Sequence, residues 1–201
     1  KNILSGKKII FCENKDDQFY NSLGLDNTIF LGVKNKDFVI TSLQQDQDFY
    51  GLIDRDYISD NEINKIKKTL PNLKILNFYC FENYLYHPDN IEEYLQDKKI
   101  FNKENYFTKI IVNKNSNKNT ILLKLEKNRN SYNSLSSFIE NSAENTNQIT
   151  SSFDSDNFDE FYKYFNMKNF DKSSIEKLNL KKEDLAKTRW FKTQIKNIIE
   201  N

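Results

Sequence analysis

The stretch that most directly indicates the fold of this chain is Tyr50-Gly51-Leu52-Ile53-Asp54-Arg55-Asp56. An apolar run typical of a buried strand ends there on two aspartates with one residue between them. Because side chains alternate between the two faces of a strand, residues two apart point the same way. Asp54 and Asp56 are therefore expected to point toward one place beyond the end of the strand.

This pair of aspartates has two interpretations. Two like charges held close together are costly unless a cation neutralises them, and carboxylate oxygens suit magnesium, manganese or calcium better than zinc. Aspartate also starts turns, so a solvated pair at the end of a strand is the alternative. The pair alone does not decide between a metal site and a turn.

The sequence on either side of the pair predicts a parallel sheet. Strands are predicted at 7–12, 28–33, 50–53 and 73–79, and helices at 16–23, 37–45, 63–70 and 90–96. Strands that alternate with helices favour an α/β fold of the doubly wound, Rossmannoid class, with helices on both faces of the sheet. Ligands of such sheets bind beyond the carboxyl ends of the strands, where Glu13 and Glu82 also lie.

The alternation of strands and helices stops at about residue 97. We therefore predict two parts, a sheet domain at 1–99 and a mostly helical C-terminal extension at 100–201 that packs on it. Within the extension, helices are predicted at 120–128, 158–165 and 175–199. Residues 134–152 are rich in Ser and Asn, which predicts a surface loop around one short helix.

Charge does not mark this chain as a nucleic-acid-binding protein. Thirty basic and 29 acidic residues give a formal net charge of +1, so a global attraction to polyanions is absent. Residues 103–130 nevertheless contain seven basic and two acidic side chains. They form either a basic face or ordinary solvated helix faces.

The two cysteines, Cys12 and Cys80, lie within apolar strand-like stretches without metal-ligand spacing. They are expected to be buried thiols in a reducing compartment. No apolar run approaches the ~18 residues of a membrane span, and no signal peptide is visible. We expect a cytoplasmic protein without membrane association. The chain begins at Lys1 and not at Met, which leaves open that it is part of a longer protein.

Glu13-Asn14, followed by Asp54-Arg55-Asp56, resembles the signature of the Toprim domain, the fold shared by topoisomerases, primases and OLD-family nucleases. Members of that family typically show a Glu that closes the first strand, then Gly, and an Asp-x-Asp that closes the third. Asn14 replaces the usual Gly here. Asn is the non-Gly residue that best tolerates a left-handed backbone, so the match survives this departure.

A second segment narrows the resemblance. Phe81-Glu82-Asn83-Tyr84-Leu85, followed by Pro88 and a predicted helix at 91–95, is similar to the DUF4435-type branch of the OLD-like Toprim proteins, in which Glu-x-Tyr-Leu follows the fourth strand. The resemblance covers roughly residues 7–97. In OLD-like nucleases a later lysine completes the site. By its place in the chain this lysine is Lys168, with Lys172 nearby.

The resemblance implies a metal-dependent nuclease that acts on DNA or RNA, including tRNA. It implies a two-metal site for Mg²⁺ or Mn²⁺, the clamp used for in-line displacement at a phosphodiester. The implied metal ligands are Glu13, Asp17, Asp54, Asp56 and Glu82. The implied catalytic residues are Glu13, Asp54, Asp56, Glu82 and Lys168.

Partners follow from the same resemblance. OLD-like Toprim proteins usually work with an ABC- or AAA-type ATPase, as in antiphage defence. Because no Gly-x-x-x-x-Gly-Lys-Ser/Thr loop is present, that ATPase must act in trans or lie on a missing segment. The alternative is a catalytically silent Toprim-fold module that docks on the ATPase. A homodimer is left open, and primase or topoisomerase activity is disfavoured because no zinc-binding cysteine set is present.

Several charged residues near the motifs have simpler explanations. Asp16 is expected at the surface of a helix start, and Arg55 is expected to pair with a helix carboxylate in preference to a phosphate. His87 precedes Pro88 and is expected to be a turn residue and not a general base. Glu82 has a second interpretation, as a cap or a hydrogen-bond acceptor for the loop before Asn83.

Overall fold

The computed structural model describes residues 6–46, 48–96, 101–170, 173–176 and 178–200. Its centre is a four-stranded, all-parallel sheet in the order β2-β1-β3-β4. The strands are β1 (Lys8–Glu13), β2 (Thr28–Val33), β3 (Tyr50–Ile53) and β4 (Leu73–Ile75). The predicted α/β fold with a parallel sheet is confirmed, and it is consistent with a Rossmann-like architecture.

Helices connect the strands as the periodicity predicts. They are α1 (Asp17–Asn21), α2 (Lys36–Gln45) and α3 (Asp60–Thr69). Caps fix where two of them begin, because Asn35 accepts from the Phe38 backbone at the start of α2 and Ser59 forms a capping box with Glu62 at the start of α3. Consecutive residues of β3 enter different apolar clusters, Leu52 one and Ile53 the other, because successive side chains of a strand point to opposite faces. The sheet is therefore covered on both faces.

The fourth strand is shorter than the predicted 73–79. It ends at Ile75. Beyond it, the Tyr84 hydroxyl accepts hydrogen bonds from the backbone nitrogens of Asn77 (2.7 Å) and Phe78 (3.1 Å). These two N–H groups are therefore not available to pair with a neighbouring strand. The chain then turns back over the sheet and enters α4 (Phe81–Leu85) and α5 (Pro88–Leu95).

The second half is mostly helical, as predicted, and its described residues contain no strand. Its helices are α6 (Lys103–Arg129), α7 (Ala143–Asp154), α8 (Phe158–Tyr162), α9 (Ser173–Glu176), α10 (Lys182–Leu185) and α11 (Arg189–Glu200). The helix predicted at 120–128 is the C-terminal part of the longer α6, since no Gly or Pro interrupts α6 and it buries Tyr106, Ile110 and Leu125. Across the described ranges, no helix is long and apolar enough to cross a membrane.

The extension shares its core with the sheet half. The Asn83 amide donates to the carbonyl oxygens of Tyr162 (3.3 Å) and Phe165 (2.8 Å), and the Tyr162 hydroxyl donates back to the Asn83 carbonyl (3.0 Å). One apolar cluster contains buried residues from both halves, including Cys12 and Cys80. The predicted boundary at 99/100 lies outside the described residues.

A buried ion pair ties α3 to the end of α6. Glu62 and Arg129 have fully buried side chains, and both guanidinium NH groups of Arg129 donate to the carboxylate, at 3.0 and 2.6 Å. Arg129 also donates to the carbonyl oxygen of Tyr57 (2.6 Å). The interaction therefore holds the residue that directly follows Asp56.

Loss of this pair is expected to be strongly destabilising. Arg129→Met leaves the Glu62 carboxylate buried without its cation and should lower the free energy of unfolding by about 3–5 kcal/mol, measured by urea denaturation. The control is Lys65→Met, which removes an exposed ion pair with Glu140 and should lower the free energy of unfolding far less, because solvent screens that pair. Equal losses in the two variants would contradict the structural role given to Arg129.

Candidate functional site

The ends of β1 and β3 meet through one hydrogen bond. Glu13 is the last residue of β1, and its Oε1 accepts from the backbone nitrogen of Asp54 at 2.9 Å. β1 and β3 are neighbours in the sheet, so both chain ends emerge at the same edge. The structure thus brings together two predicted site residues that are 41 positions apart.

Asp54 lies at the centre of the site and is almost fully buried. One carboxylate oxygen accepts from the backbone nitrogen of Phe81 (3.1 Å), at the start of α4, and the other accepts from Lys168 Nζ (3.0 Å). Lys168 belongs to a short 3-10 turn, Met167–Asn169. Asp54 therefore joins the sheet to two segments that follow it in the chain.

Asp56 reaches the site by a different route from the one predicted. β3 ends at Ile53, so strand alternation does not orient the second aspartate. Asp56 instead adopts a left-handed backbone (φ 49°), and its nitrogen donates to the carbonyl oxygen of Tyr79 at 2.8 Å. Asp is one of the few non-Gly residues that visit this conformation readily. The turn, and not the strand, fixes where its carboxylate lies.

Lys36 is a site residue that no sequence motif predicted. It is buried at the first position of α2, where its Nζ donates to Asp56 Oδ2 (2.5 Å) and to the Asp54 carbonyl (2.9 Å) and lies 4.0 Å from Glu13 Oε1. Burial opposes its charge, yet the carboxylates of Asp56 and Glu13 hold the pKa of Lys36 above its ordinary value. A lysine in the first turn of a helix opposes the helix dipole, and this was the available signal.

Glu82, in the first turn of α4, faces two lysines. Its Oε2 lies 3.8 Å from Lys168 Nζ, and its Oε1 accepts from Lys182 Nζ at 3.3 Å. Burial opposes ionisation, but the two ammonium groups outweigh it and lower the pKa of Glu82. Oε2 is buried without a hydrogen-bond partner. Lys172, the other lysine considered, lies outside the described residues.

Asp16 and Asp17 have different surroundings. The Asp17 carboxylate lies over β2 beside Gly32, where an added Cβ would be 2.8 Å from its Oδ1. Burial raises the pKa of Asp16, and the carboxylates of Asp54 and Glu82 raise it further. Asp16 is half-buried, not a surface residue. We therefore count Asp16 among the acids of the site, and the metal-ligand role expected of Asp17 stays a prediction.

The site carries more negative charge than its lysines neutralise. Burial raises the pKa of Glu13 to about 7 against the opposing charge of Lys36, and it raises the pKa of Asp54 to about 6 against Lys168. Burial and neighbouring carboxylates raise the pKa of Asp16 to about 7. Five carboxylates belong to the cluster (Glu13, Asp16, Asp54, Asp56 and Glu82), facing three ammonium groups (Lys36, Lys168 and Lys182).

The chemistry of these groups suits a hard divalent cation. All five acids offer oxygen donors, and Glu82 Oε2 is buried without a hydrogen-bond partner. A cation would stabilise the ionised forms that burial and neighbouring carboxylates disfavour. In the described ranges, however, no three His, Cys, Asp or Glu side chains are already grouped closely enough to hold a metal ion. The lysines occupy the space between the acids instead.

Arg55 and His87 have structural surroundings, as expected. Arg55 is buried and donates to Asp60 of α3 (2.5 Å) and to the Tyr164 hydroxyl (2.8 Å), so it pairs with a helix carboxylate. His87 caps α5 and stacks on Trp190 with ring centroids 4.4 Å apart. Burial lowers the pKa of His87 to about 4. Neither side chain contacts the acids of the cluster.

The raised pKa values predict how stability depends on pH in the presence of a chelator. Between about pH 4 and pH 7 the folded state holds protons on Glu13 and Asp54 that the unfolded state has released, so stability should fall as pH rises. Glu13→Gln should make this fall smaller. Between pH 5 and pH 8 the total loss in the free energy of unfolding, measured by denaturation series, should shrink by on the order of 2 kcal/mol. The exposed-site control Glu160→Gln should keep the slope, and an unchanged slope in Glu13→Gln would refute the electrostatic account.

No family model matches this chain, and neither a curated protein nor a solved structure does. The Toprim resemblance therefore stays an expectation that depends on Glu13, Asp54-Arg55-Asp56 and residues 81–85.

Proposed function

We propose that this chain is a divalent-metal-dependent nuclease that hydrolyses phosphodiester bonds in DNA or RNA. The observation that supports this most is the meeting of Glu13 and Asp54 at the ends of adjacent parallel strands, with Lys168 bound to Asp54. Acids from separate elements in one buried place, with excess negative charge, favour a functional site over a solvated turn. The Toprim-type fold and the nuclease class remain part of the proposal.

Mg²⁺ or Mn²⁺ would be held by Glu13, Asp54, Asp56 and Glu82, with Asp16 in the place first given to Asp17. Such a cation supplies Lewis-acid stabilisation of the phosphoryl oxygens and an acidified water. The carboxylates provide the charge that retains it, and the Glu13 contact with the Asp54 backbone keeps the two strand ends in register.

The lysines have distinct roles in this proposal. Lys168 has a 41% exposed side chain, so it is free to leave Asp54 and Glu82 and to stabilise negative charge on a bound phosphate. Lys36 has a 10% exposed side chain and bonds the Asp54 carbonyl, so it positions the turn and stays in place. One lysine is thus a catalytic candidate and the other a positioning residue.

Partners follow from charge and from the family resemblance. A net charge of +1 does not support tight binding of a polyanion by this chain alone. Of the seven basic residues at 103–130, Lys103, Lys114, Lys118 and Arg129 already have partners within the fold. We therefore include an ABC- or AAA-type ATPase, as in antiphage defence, as the proposed partner that delivers the substrate.

A second candidate function is a catalytically silent module that docks on the ATPase. It is favoured by a specific observation, since Lys36 and Lys168 already form ion pairs with Asp54, Asp56 and Glu82. In that case the ammonium groups replace metal ions permanently, and the acids stabilise the fold. The two experiments below separate the candidates.

Metal binding is expected to be visible as thermal stabilisation. Mn²⁺, or Ca²⁺ as a non-reactive substitute, should raise the Tm of the chain because a ligand that binds only the folded state stabilises it. Asp54→Asn should abolish the rise, and Asp16→Asn should weaken the apparent metal affinity about 10-fold or more. Asp17→Asn is the matched control and should respond like the unmodified chain.

Two outcomes of that experiment would change the assignment. If Asp17→Asn loses the response and Asp16→Asn keeps it, the ligand is Asp17. If the unmodified chain shows no response to either cation, the silent module is the better description.

Cleavage is expected to depend on Mn²⁺ and on the acids. Plasmid, single-stranded DNA and total tRNA should be tested with the unmodified chain, Glu13→Ala and Lys168→Ala, each with and without the ATPase partner. Both variants should lose roughly 10²–10³-fold in rate, because each removes a group that retains the cation or stabilises charge. Lys168→Ala should keep the thermal response to Mn²⁺. Equal cleavage by Glu13→Ala would end the catalytic proposal.

A further inference from the structure

A polar cavity of about 200 Å³ opens next to the acid cluster. It lies between α6, the turn after β3 and the 3-10 turn that carries Lys168. Five asparagines line it, three from α6 and two, Asn166 and Asn169, from either side of Lys168. The buried residues Tyr57 and Tyr79 also line it. Neither the family resemblance nor the proposed chemistry uses this cavity.

The cavity shares its backbone with the acid cluster. Tyr57 directly follows Asp56, and the Tyr79 carbonyl accepts from the Asp56 nitrogen at 2.8 Å. On the other wall, the Asn166 side chain accepts from the backbone nitrogen of Lys168 at 2.9 Å. A molecule in the cavity would therefore lie beside the residues that face Asp54 and Asp56.

The chemistry of the lining selects the class of ligand. Asparagine amides carry both donors and acceptors, the groups that the edge of a nucleobase also presents. Some of the five amides are partly engaged within the fold, since Asn117 donates to Asn113 and the Asn166 oxygen accepts from the Lys168 nitrogen. The Tyr57 and Tyr79 rings, 5.0 Å apart and edge to face, are 3% and 8% exposed and contribute an aromatic edge to the lining, the kind of group that unpaired bases contact. Lys124, exposed on α6 at the rim, offers a charge for a phosphate.

Size and charge exclude other ligands. Among the described residues that line the cavity there is no carboxylate and a single lysine, so the cavity lacks the anionic ligands of a tight metal site and the positive charge that a polyphosphate requires. The volume is below the ~300–1,000 Å³ of pockets for drug-sized molecules, which leaves room for one ring system.

We propose that this cavity receives one base of a single-stranded nucleic acid, with the adjacent phosphate directed to the acid cluster. The direction of the phosphate rests on the proposed nuclease function, whereas the recognition of the base does not. A base that must enter a cavity has to be unpaired, so single strands, loops and ends are the substrates that this site accepts.

The test measures binding in the absence of cleavage. Fluorescein-labelled octanucleotides of A, C or U in RNA, and of A, C or T in DNA, are titrated with the full chain in a chelating, low-salt buffer, with anisotropy as the readout. We expect the tightest and weakest bases to differ about 10-fold in Kd, since contacts with a single base contribute of this order.

Two variants change the lining of the cavity, and a third changes only the neighbouring surface and serves as the control. Thr120→Trp fills the cavity from an exposed position of α6, and Asn117→Leu removes one of its amides. Both should reduce the difference between bases to about twofold or less, because the discriminating contacts are lost. Asn119→Trp, also exposed but outside the lining, should keep it. Matching thermal unfolding curves confirm that all three fold.

The outcomes separate this inference from the nuclease proposal. Discrimination that Thr120→Trp abolishes supports the base site even if no cleavage is ever observed. Cleavage that depends on Glu13, together with equal binding of all bases or with discrimination that survives Thr120→Trp, overturns the base site and leaves the nuclease proposal standing.

Discussion

The hydrogen bond from the Asp54 backbone to Glu13 is the contact on which the site depends. It is possible because β1 and β3 are neighbours and parallel, so both strands deliver their carboxyl ends to one edge. Once the two ends are joined, the turn after β3 has little freedom, and the left-handed Asp56 is held by the Tyr79 carbonyl. The acids are thus gathered by topology first and by side-chain interactions second.

The balance of charge around this contact explains why the site tolerates burial. Glu13 and Asp54 would be costly in a dry interior without cations, and Lys36 and Lys168 supply part of the compensation. The compensation is incomplete, as the raised pKa values of both acids show. A structural ion-pair network would gain stability from full neutralisation, and the incomplete neutralisation of this cluster is one basis for the proposed metal site.

Much of the sheet could be predicted from the sequence, and much of the site's detail could not. β2 has the predicted bounds, 28–33, because its apolar run is short and flanked by polar turns. Asp16 and Asp17 could not be assigned, because adjacent helical residues differ by about 100° in direction and the helix start decides which one faces the site. The role of Lys36 could not be predicted, because its three partners lie about 20 residues away in the chain and no local pattern links them. The end of β4 depended on one hydroxyl, that of Tyr84.

Both backbone groups of Tyr57 are held by the second half of the chain, its nitrogen by the Tyr132 hydroxyl (3.0 Å) and its carbonyl by Arg129 (2.6 Å). The acids therefore belong to one half, while the tethers of their turn belong to the other. The sheet half could not be moved to another protein unchanged, because the turn that carries Asp56 would lose both hydrogen bonds at Tyr57. The two halves are accordingly expected to be inherited together, as a single evolutionary unit.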